Sequence, residues 1–165
     1  MDKPIAIITG ASTGIGQSLS IKLSEQYLVY LISRNQDNLN KTKKLIEAQN
    51  NECKIIVADI SQSESINMIY SQIQHKEKIE LLINNAGMGV FKNITDTSIE
   101  DWDNTLNTNL RGSFLMTKMV IDDLKSKKNG KIVFISSVAG LQPYKNSTAY
   151  VSSKYGLRGF ASALR

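Results

Sequence analysis

The sequence predicts an α/β fold, a doubly wound parallel sheet with helices on both faces. Three observations predict it. Short, almost uninterrupted apolar runs alternate with longer amphipathic stretches along the whole chain. Continuous apolar strands suit a parallel sheet, because helices cover both of its faces. A glycine-rich turn follows the first run directly, and right-handed crossovers then wind the alternation into an open sheet.

The elements follow in order. Residues 5–9, Ile-Ala-Ile-Ile-Thr, form the first strand, and a helix begins near Gly14. Residues 28–32 make the second strand, and 39–48 have helical spacing. The third strand covers 54–58. Ser61, with Glu64 three residues on, reads as a capping box that opens the next helix. The fourth strand is 79–83. Ser98 with Asp101 marks another helix start, and that helical pattern runs to Lys125 with a break near Gly112. Gly130 bounds a fifth strand at 131–136, and residues 149–165 are helical, with the pattern still running at Arg165. No repeat or linker divides the sequence, so residues 1–165 read as a single domain.

Composition narrows the function. Of 165 residues, 41% are hydrophobic and 21% charged, too apolar for a disordered chain. The apolar stretches are too short to span a bilayer, and no secretory leader precedes the first strand. A cytoplasmic protein is expected. One cysteine, Cys53, excludes an internal disulfide framework. One histidine, His75, argues against a His-based zinc site or a Ser-His-Asp triad, so no metal is expected. The net charge is +5, but the clusters Lys41, Lys43, Lys44 and Lys125, Lys127, Lys128, Lys131 lie on a helix face and at a helix end. No aromatic residues interleave with them to stack bases, so no nucleic-acid partner is expected.

Chemistry gathers at the ends of the strands. Gly10, Gly14 and Gly16 have the spacing G-x-x-x-G-x-G, different from the dinucleotide pattern G-x-G-x-x-G. A tight turn needing positive φ would account for them. Their place between a buried strand and a helix favours a pyrophosphate held at the helix N-terminus. The second strand ends at Ser33-Arg34. An acid there would hold the two ribose hydroxyls of NAD, whereas an arginine pairs with the 2′-phosphate of NADP. Arg34 therefore favours NADP(H) over NAD(H), against the simpler reading of a solvated charge. Asp37 reads as a helix-start acid. Tyr150 and Lys154 lie four residues apart and share a helix face. A tyrosine ordinarily titrates near pH ~10, and a neighbouring ammonium favours its phenolate. Ser136 and Ser137 end the fifth strand at its carboxyl edge, where either hydroxyl can meet a substrate carbonyl.

These residues together resemble the short-chain dehydrogenase/reductase family, and within it the 3-oxoacyl-carrier-protein reductase-like branch. Thr9-Gly10-Ala11-Ser12-Thr13-Gly14-Ile15-Gly16 is similar to the family's cofactor loop, and Asn84-Asn85-Ala86-Gly87 to its N-N-A-G motif. Asn109 is similar to its helix asparagine. Ser137, then twelve residues to Tyr150, then Lys154, has its catalytic spacing.

The resemblance implies a Rossmann-type sheet and hydride transfer between a nicotinamide cofactor and a small-molecule carbonyl or alcohol. It implies Tyr150 as proton donor and Ser137 as the group that polarises the carbonyl. Lys154 is to stabilise the Tyr150 phenolate and bind the nicotinamide ribose, and Asn109 to hold a relay water. It implies that Gly10, Ser12, Thr13, Gly14, Ile15, Gly16, Arg34, Asp59, Ile60, Asn85, Ala86 and Gly87 bind the cofactor, with Asp59 at the adenine. It further implies a homodimer or homotetramer built on the helices within 109–125 and 147–165. In the family a sixth strand, a substrate loop and a seventh strand follow. The chain is thus expected to be truncated after the fifth strand and its helix, and a catalytically silent nucleotide-binding or interaction fragment is the alternative function.

Overall fold

A computed structural model describes residues 3–164. Five strands, β1 (Ile5–Thr9), β2 (Leu28–Ser33), β3 (Cys53–Val57), β4 (Ile79–Asn84) and β5 (Lys131–Phe134), form one sheet in the order β3-β2-β1-β4-β5. Every neighbouring pair is parallel. The helices are α1 (Gly14–Leu23), α2 (Gln36–Glu47), α3 (Ser63–Gln72), α4 (Ile99–Leu106), α5 (Gly112–Lys125) and α6 (Thr148–Ala163). The direction of winding reverses between β1 and β4, and such a switch point opens a crevice at the strands' carboxyl ends.

Side chains of successive strand residues point to opposite faces, so β1 feeds two cores. Ile5 and Ile7 join Tyr30, Ile69, Met116 and Val120 beneath α3 and α5. Ala6 and Ile8 join Leu31, Leu39, Ile46 and Ile83 beneath α1 and α2. All five β1 residues are buried. Each large aliphatic among them contributes about 1.5–3 kcal/mol by leaving water.

Three expectations are corrected. The Ser61–Glu64 capping box does not form, for α3 begins at Ser63 with Gln62 as its N-cap. Asp59 Oδ1 accepts the Ser61 N–H at 2.9 Å and closes its own turn first. The helix from Ser98 is not broken near Gly112. A π-helical turn, Asn107–Arg111, joins α4 to α5 without interruption. Gly112 serves there as a point of close approach, since a Cβ would lie 2.9 Å from the Ile60 side chain. The fifth strand stops at Phe134 rather than continuing to residue 136. The other helix starts hold. Ser98 and Asp101 form a full capping box, and Asp37 lies in the first turn of α2 behind the Asn35 cap. The expected last residue of the final helix, Arg165, lies outside the described residues.

Candidate active site

The crevice is assembled at the tips of β1 and β4. Thr9 ends β1, and its Oγ1 accepts the N–H groups of Asn85 and Ala86 at 3.0 Å each while donating to the Ile83 carbonyl at 3.3 Å. Asn85 answers with its side chain, Nδ2 donating to the carbonyls of Thr9 (3.0 Å) and Gly10 (3.2 Å). Gly10 has φ +66°, and a Cβ there would sit 2.8 Å from Ala86 Cα. A Cβ on Gly16 would overlap the Gly10 carbonyl oxygen. Against the β4 tip, positions 10 and 16 of the loop therefore fit only glycine.

The same loop leaves α1 open at its positive end. Thr13 is the N-cap but makes no side-chain cap bond, and no acid stands in the first turn. Gly14, at φ +55°, has nothing within 4 Å of where its Cβ would be. Unsatisfied first-turn amides facing open space are a ready anion cradle. The chemistry of this donor set fits a pyrophosphate.

A cleft of about 450 Å³ runs along these elements. Ten of the residues expected to bind cofactor line it: Gly10, Ser12, Thr13, Ile15, Arg34, Asp59, Ile60, Asn85, Ala86 and Gly87. Gly14 and Gly16 do not line it, and Gly16 lies packed against Gly10 and Asn85. At the far end Ser33 Oγ donates to Ser12 Oγ (2.9 Å), and Arg34 Nη1 lies 3.6 Å from Asp59 Oδ2.

A second cavity, about 260 Å³, adjoins the first and shares Ile15, Asn85, Gly87 and Met88 with it. Tyr150, Lys154, Ser136 and Phe91 line this part. Lys154 is 4% exposed, and its Nζ donates to the Ile135 carbonyl at 2.9 Å. Burial holds its ammonium below the ordinary lysine pKa, because desolvation penalises the charged form. That Nζ stands 5.8 Å from the centroid of the Tyr150 ring, which Phe91 flanks at 5.5 Å.

Asn109 lies fully buried on the π turn. Its Oδ1 accepts the Met88 N–H (2.8 Å), and its Nδ2 donates to the Met88 carbonyl (2.8 Å) and to Ser153 Oγ (2.9 Å). Both ends of the amide thus clamp the wall of the cavity. The two serines differ. Ser137 lines neither cavity, and its Oγ accepts the Ala139 N–H at 3.1 Å as the cap of a short 3₁₀ turn, Val138–Gly140. Ser136 lines the second cavity, and its Oγ is shielded from solvent with no hydrogen-bond partner among the described residues.

Sequence reading missed Thr9 as the tie between β1 and β4, and missed Met88, Ser153 and Phe91. A hydroxyl closing an otherwise apolar strand was the available signal for Thr9. Among the described residues no three His, Cys, Asp or Glu side chains gather to hold a metal, and no helix is long and apolar enough to cross a membrane.

Comparison with known proteins places these features in company. Residues 4–165 match the family described as short chain dehydrogenase. The sepiapterin reductase of Chlorobaculum tepidum is 33% identical over 172 residues, covering 99% of this chain and 70% of that protein. Among solved structures, a metagenomic short-chain oxidoreductase in complex with NADP superposes with a TM-score of 0.92 at 30% identity, covering 98% of this chain and 74% of that one. An actinorhodin polyketide ketoreductase variant with NADPH gives 0.93 at 29% identity, covering 99% and 64%.

Proposed function

The chain belongs to the short chain dehydrogenase family, and on that premise we propose that it binds NADP(H) in preference to NAD(H) and interconverts a small-molecule carbonyl and its alcohol, with Tyr150 as the proton donor. Residues 1–165 act as one dinucleotide-binding domain in this reading. The observation that carries it is adjacency. The cavity holding Tyr150 and Lys154 shares four wall residues with the cleft beneath the glycine loop.

The amides at Thr13 and Ile15, at the open end of α1 and lining the cleft, would hold the pyrophosphate, Asp59 and Ile60 the adenine end, and Lys154 the nicotinamide ribose. When bound, the nicotinamide supplies or accepts the hydride. The chain's own residues do the rest. Tyr150 gives its proton to the carbonyl oxygen, and the negative charge left on it develops near the Lys154 ammonium. In a dry pocket such a charge pair is stronger than in water. The Ile135 carbonyl fixes the Lys154 head. Ser137 Oγ accepts from Ala139 and keeps a proton to give, but it lines neither cavity, so polarising the substrate oxygen requires its hydroxyl to turn toward Tyr150. Asn109 is a positioning residue, joining Met88 to Ser153 and, through the Ser153 bond to the Tyr150 carbonyl (2.7 Å), to the turn that bears Tyr150.

Titration of the purified chain with NADPH and NADH, followed by nicotinamide fluorescence, tests the cofactor half. Saturable binding with NADPH the tighter is the expected result. Turnover with a panel of ketones and aldehydes tests the rest, and Tyr150→Phe is expected to bind cofactor but lose turnover by about 10²-fold or more. A catalytically silent nucleotide-binding chain is the second reading, favoured by the open flank of β5 described below. Binding without turnover in the unaltered chain would establish it.

Half-exposed Phe114 on α5 and Tyr155 on α6 support a homodimer or homotetramer through those helices. A monomeric mass by light scattering would sink that assembly. The unpaired, buried Cys53 supports action in the cytoplasm.

A further inference from the structure

We infer that Asp59 is a specificity-determining residue that works against the phosphorylated cofactor, by holding the Arg34 guanidinium that a 2′-phosphate would otherwise take. The inference rests on the reading that the cleft binds a nicotinamide dinucleotide with Arg34 at the 2′-phosphate.

Both residues line the same end of the cleft, Arg34 directly after β2 and Asp59 just after β3. They form an ion pair, Nη1 to Oδ2, at 3.6 Å. The two partners are held unequally. Asp59 is two-thirds buried, and its other oxygen, Oδ1, accepts the Ser61 N–H at 2.9 Å. The Arg34 side chain is 66% exposed. The carboxylate is therefore the fixed partner and the guanidinium the movable one.

The polar residues flanking Arg34 are engaged elsewhere, Ser33 with Ser12 and Asn35 as the α2 cap that accepts from Asn38. A single long contact does not fix the plane of a guanidinium as a bidentate pair would. Asp59 thus occupies Arg34 without orienting it for a phosphate. An incoming dianion must displace or share that contact, and it then has the carboxylate as a like-charged neighbour across one guanidinium. A cofactor with free ribose hydroxyls meets neither cost. The same Arg34 that favours NADP(H) is therefore held in check, and the chain discriminates less sharply than an unopposed arginine would.

The test is the ratio of Kd for NADH to Kd for NADPH, measured by nicotinamide fluorescence in the unaltered chain, Asp59→Asn, Arg34→Ala and the double variant. Asparagine keeps the acceptor for Ser61, and any contact that residue 59 makes with adenine cancels in the ratio. Asp59→Asn is expected to raise the ratio about two- to fivefold, the effect of freeing one partly exposed ion pair. In the Arg34→Ala background the same change is expected to leave the ratio where it is. An unchanged or lowered ratio in Asp59→Asn alone would overturn the inference. If Arg34→Ala leaves the preference intact, or neither cofactor binds saturably, the underlying reading fails, and that outcome is distinct from the first.

Discussion

Both β1 and β5 lead from the sheet into loops that carry candidate site residues, yet the two strands sit in opposite surroundings. β1 has β2 and β4 beside it and is buried at every position. Among the described residues β5 pairs only with β4, alternates exposed with half-buried residues, and leaves Val133 39% exposed. An apolar groove of about 510 Å³ lies along it, lined by Ile132, Phe134, Ala161 and Leu164 among others. The difference shows where geometry is fixed from within. The glycine loop is locked by backbone approach and by the Thr9 and Asn85 bonds. The Tyr150 turn is held instead by reach across the fold, from Asn109 on the π turn and from the contact of Lys154 with Ile135.

The sharpest break of this comparison is a single methyl in the locked region. Gly16→Ala places a Cβ against the Gly10 carbonyl oxygen and 2.5 Å from Asn85 Nδ2. Neither can yield without moving β1 or β4. The expected cost is about 3 kcal/mol or more, with cofactor binding lost. Thermal unfolding and the NADPH titration would show both, the first as a drop of roughly ten degrees in Tm.

Thr9→Val comes next. Valine keeps the shape but removes the acceptor of two N–H groups, those of Asn85 and Ala86. About 2–4 kcal/mol should go, since each donor is left unpaired in a closed place. Urea denaturation gives the number, and a loss under about 0.5 kcal/mol would mean that water replaces the hydroxyl.

The locked region was largely legible in the sequence. Apolar continuity gave β1 to β4 to within a residue or two, because burial on both faces of β1, β2 and β4 leaves no room for another pattern. The glycine spacing placed the loop because positions 10 and 16 admit no Cβ and positions 10 and 14 take a left-handed φ. What was not legible depends on partners distant in the chain. The family resemblance picks out Asn109 but not its partners, since only the π turn directs it to Met88 and Ser153. The broken helix near Gly112 failed because local propensity says nothing of Ile60 pressing against that glycine. Ser61 lost its cap to Asp59, a competition between two side chains that spacing alone does not rank. At β5 the apolar run continues through Ile135, past the last ladder residue Phe134, so apolarity alone carries the expected strand two residues too far.

The open region is sharpened by pH. Lys154 is buried, and desolvation holds its folded-state pKa below the ordinary lysine value. Between those two values the unfolded chain binds more protons than the folded one, so stability must rise as pH rises through that window. Below the folded-state value the penalty is present in full. Lys154→Met has no such group, so its stability relative to the unaltered chain is expected to fall as pH climbs toward the lysine range. Paired urea titrations across that range would measure the slope. A flat difference would mean that Lys154 keeps its proton at no cost, through water or an anion reaching it.

The smallest effect carries the opposite sign. Gly159 lies on an exposed face of α6, five residues beyond Lys154, with nothing within 4 Å of where a Cβ would be and no left-handed φ. Glycine inside a helix leaves the unfolded chain more freedom to lose, so Gly159→Ala should stabilise by about 0.5–1 kcal/mol. The methyl is the same as the one that breaks the fold at Gly16, and its sign is set wholly by what faces it. That makes the substitution a probe of the α6 surface. If a second copy packs on this face, as the proposed homodimer or homotetramer would have it, the added methyl meets the neighbour and the gain shrinks or reverses. Measured by urea denaturation beside light scattering, a full gain in a dimeric sample would move the interface off this face of α6. A loss accompanied by dissociation would place the interface there.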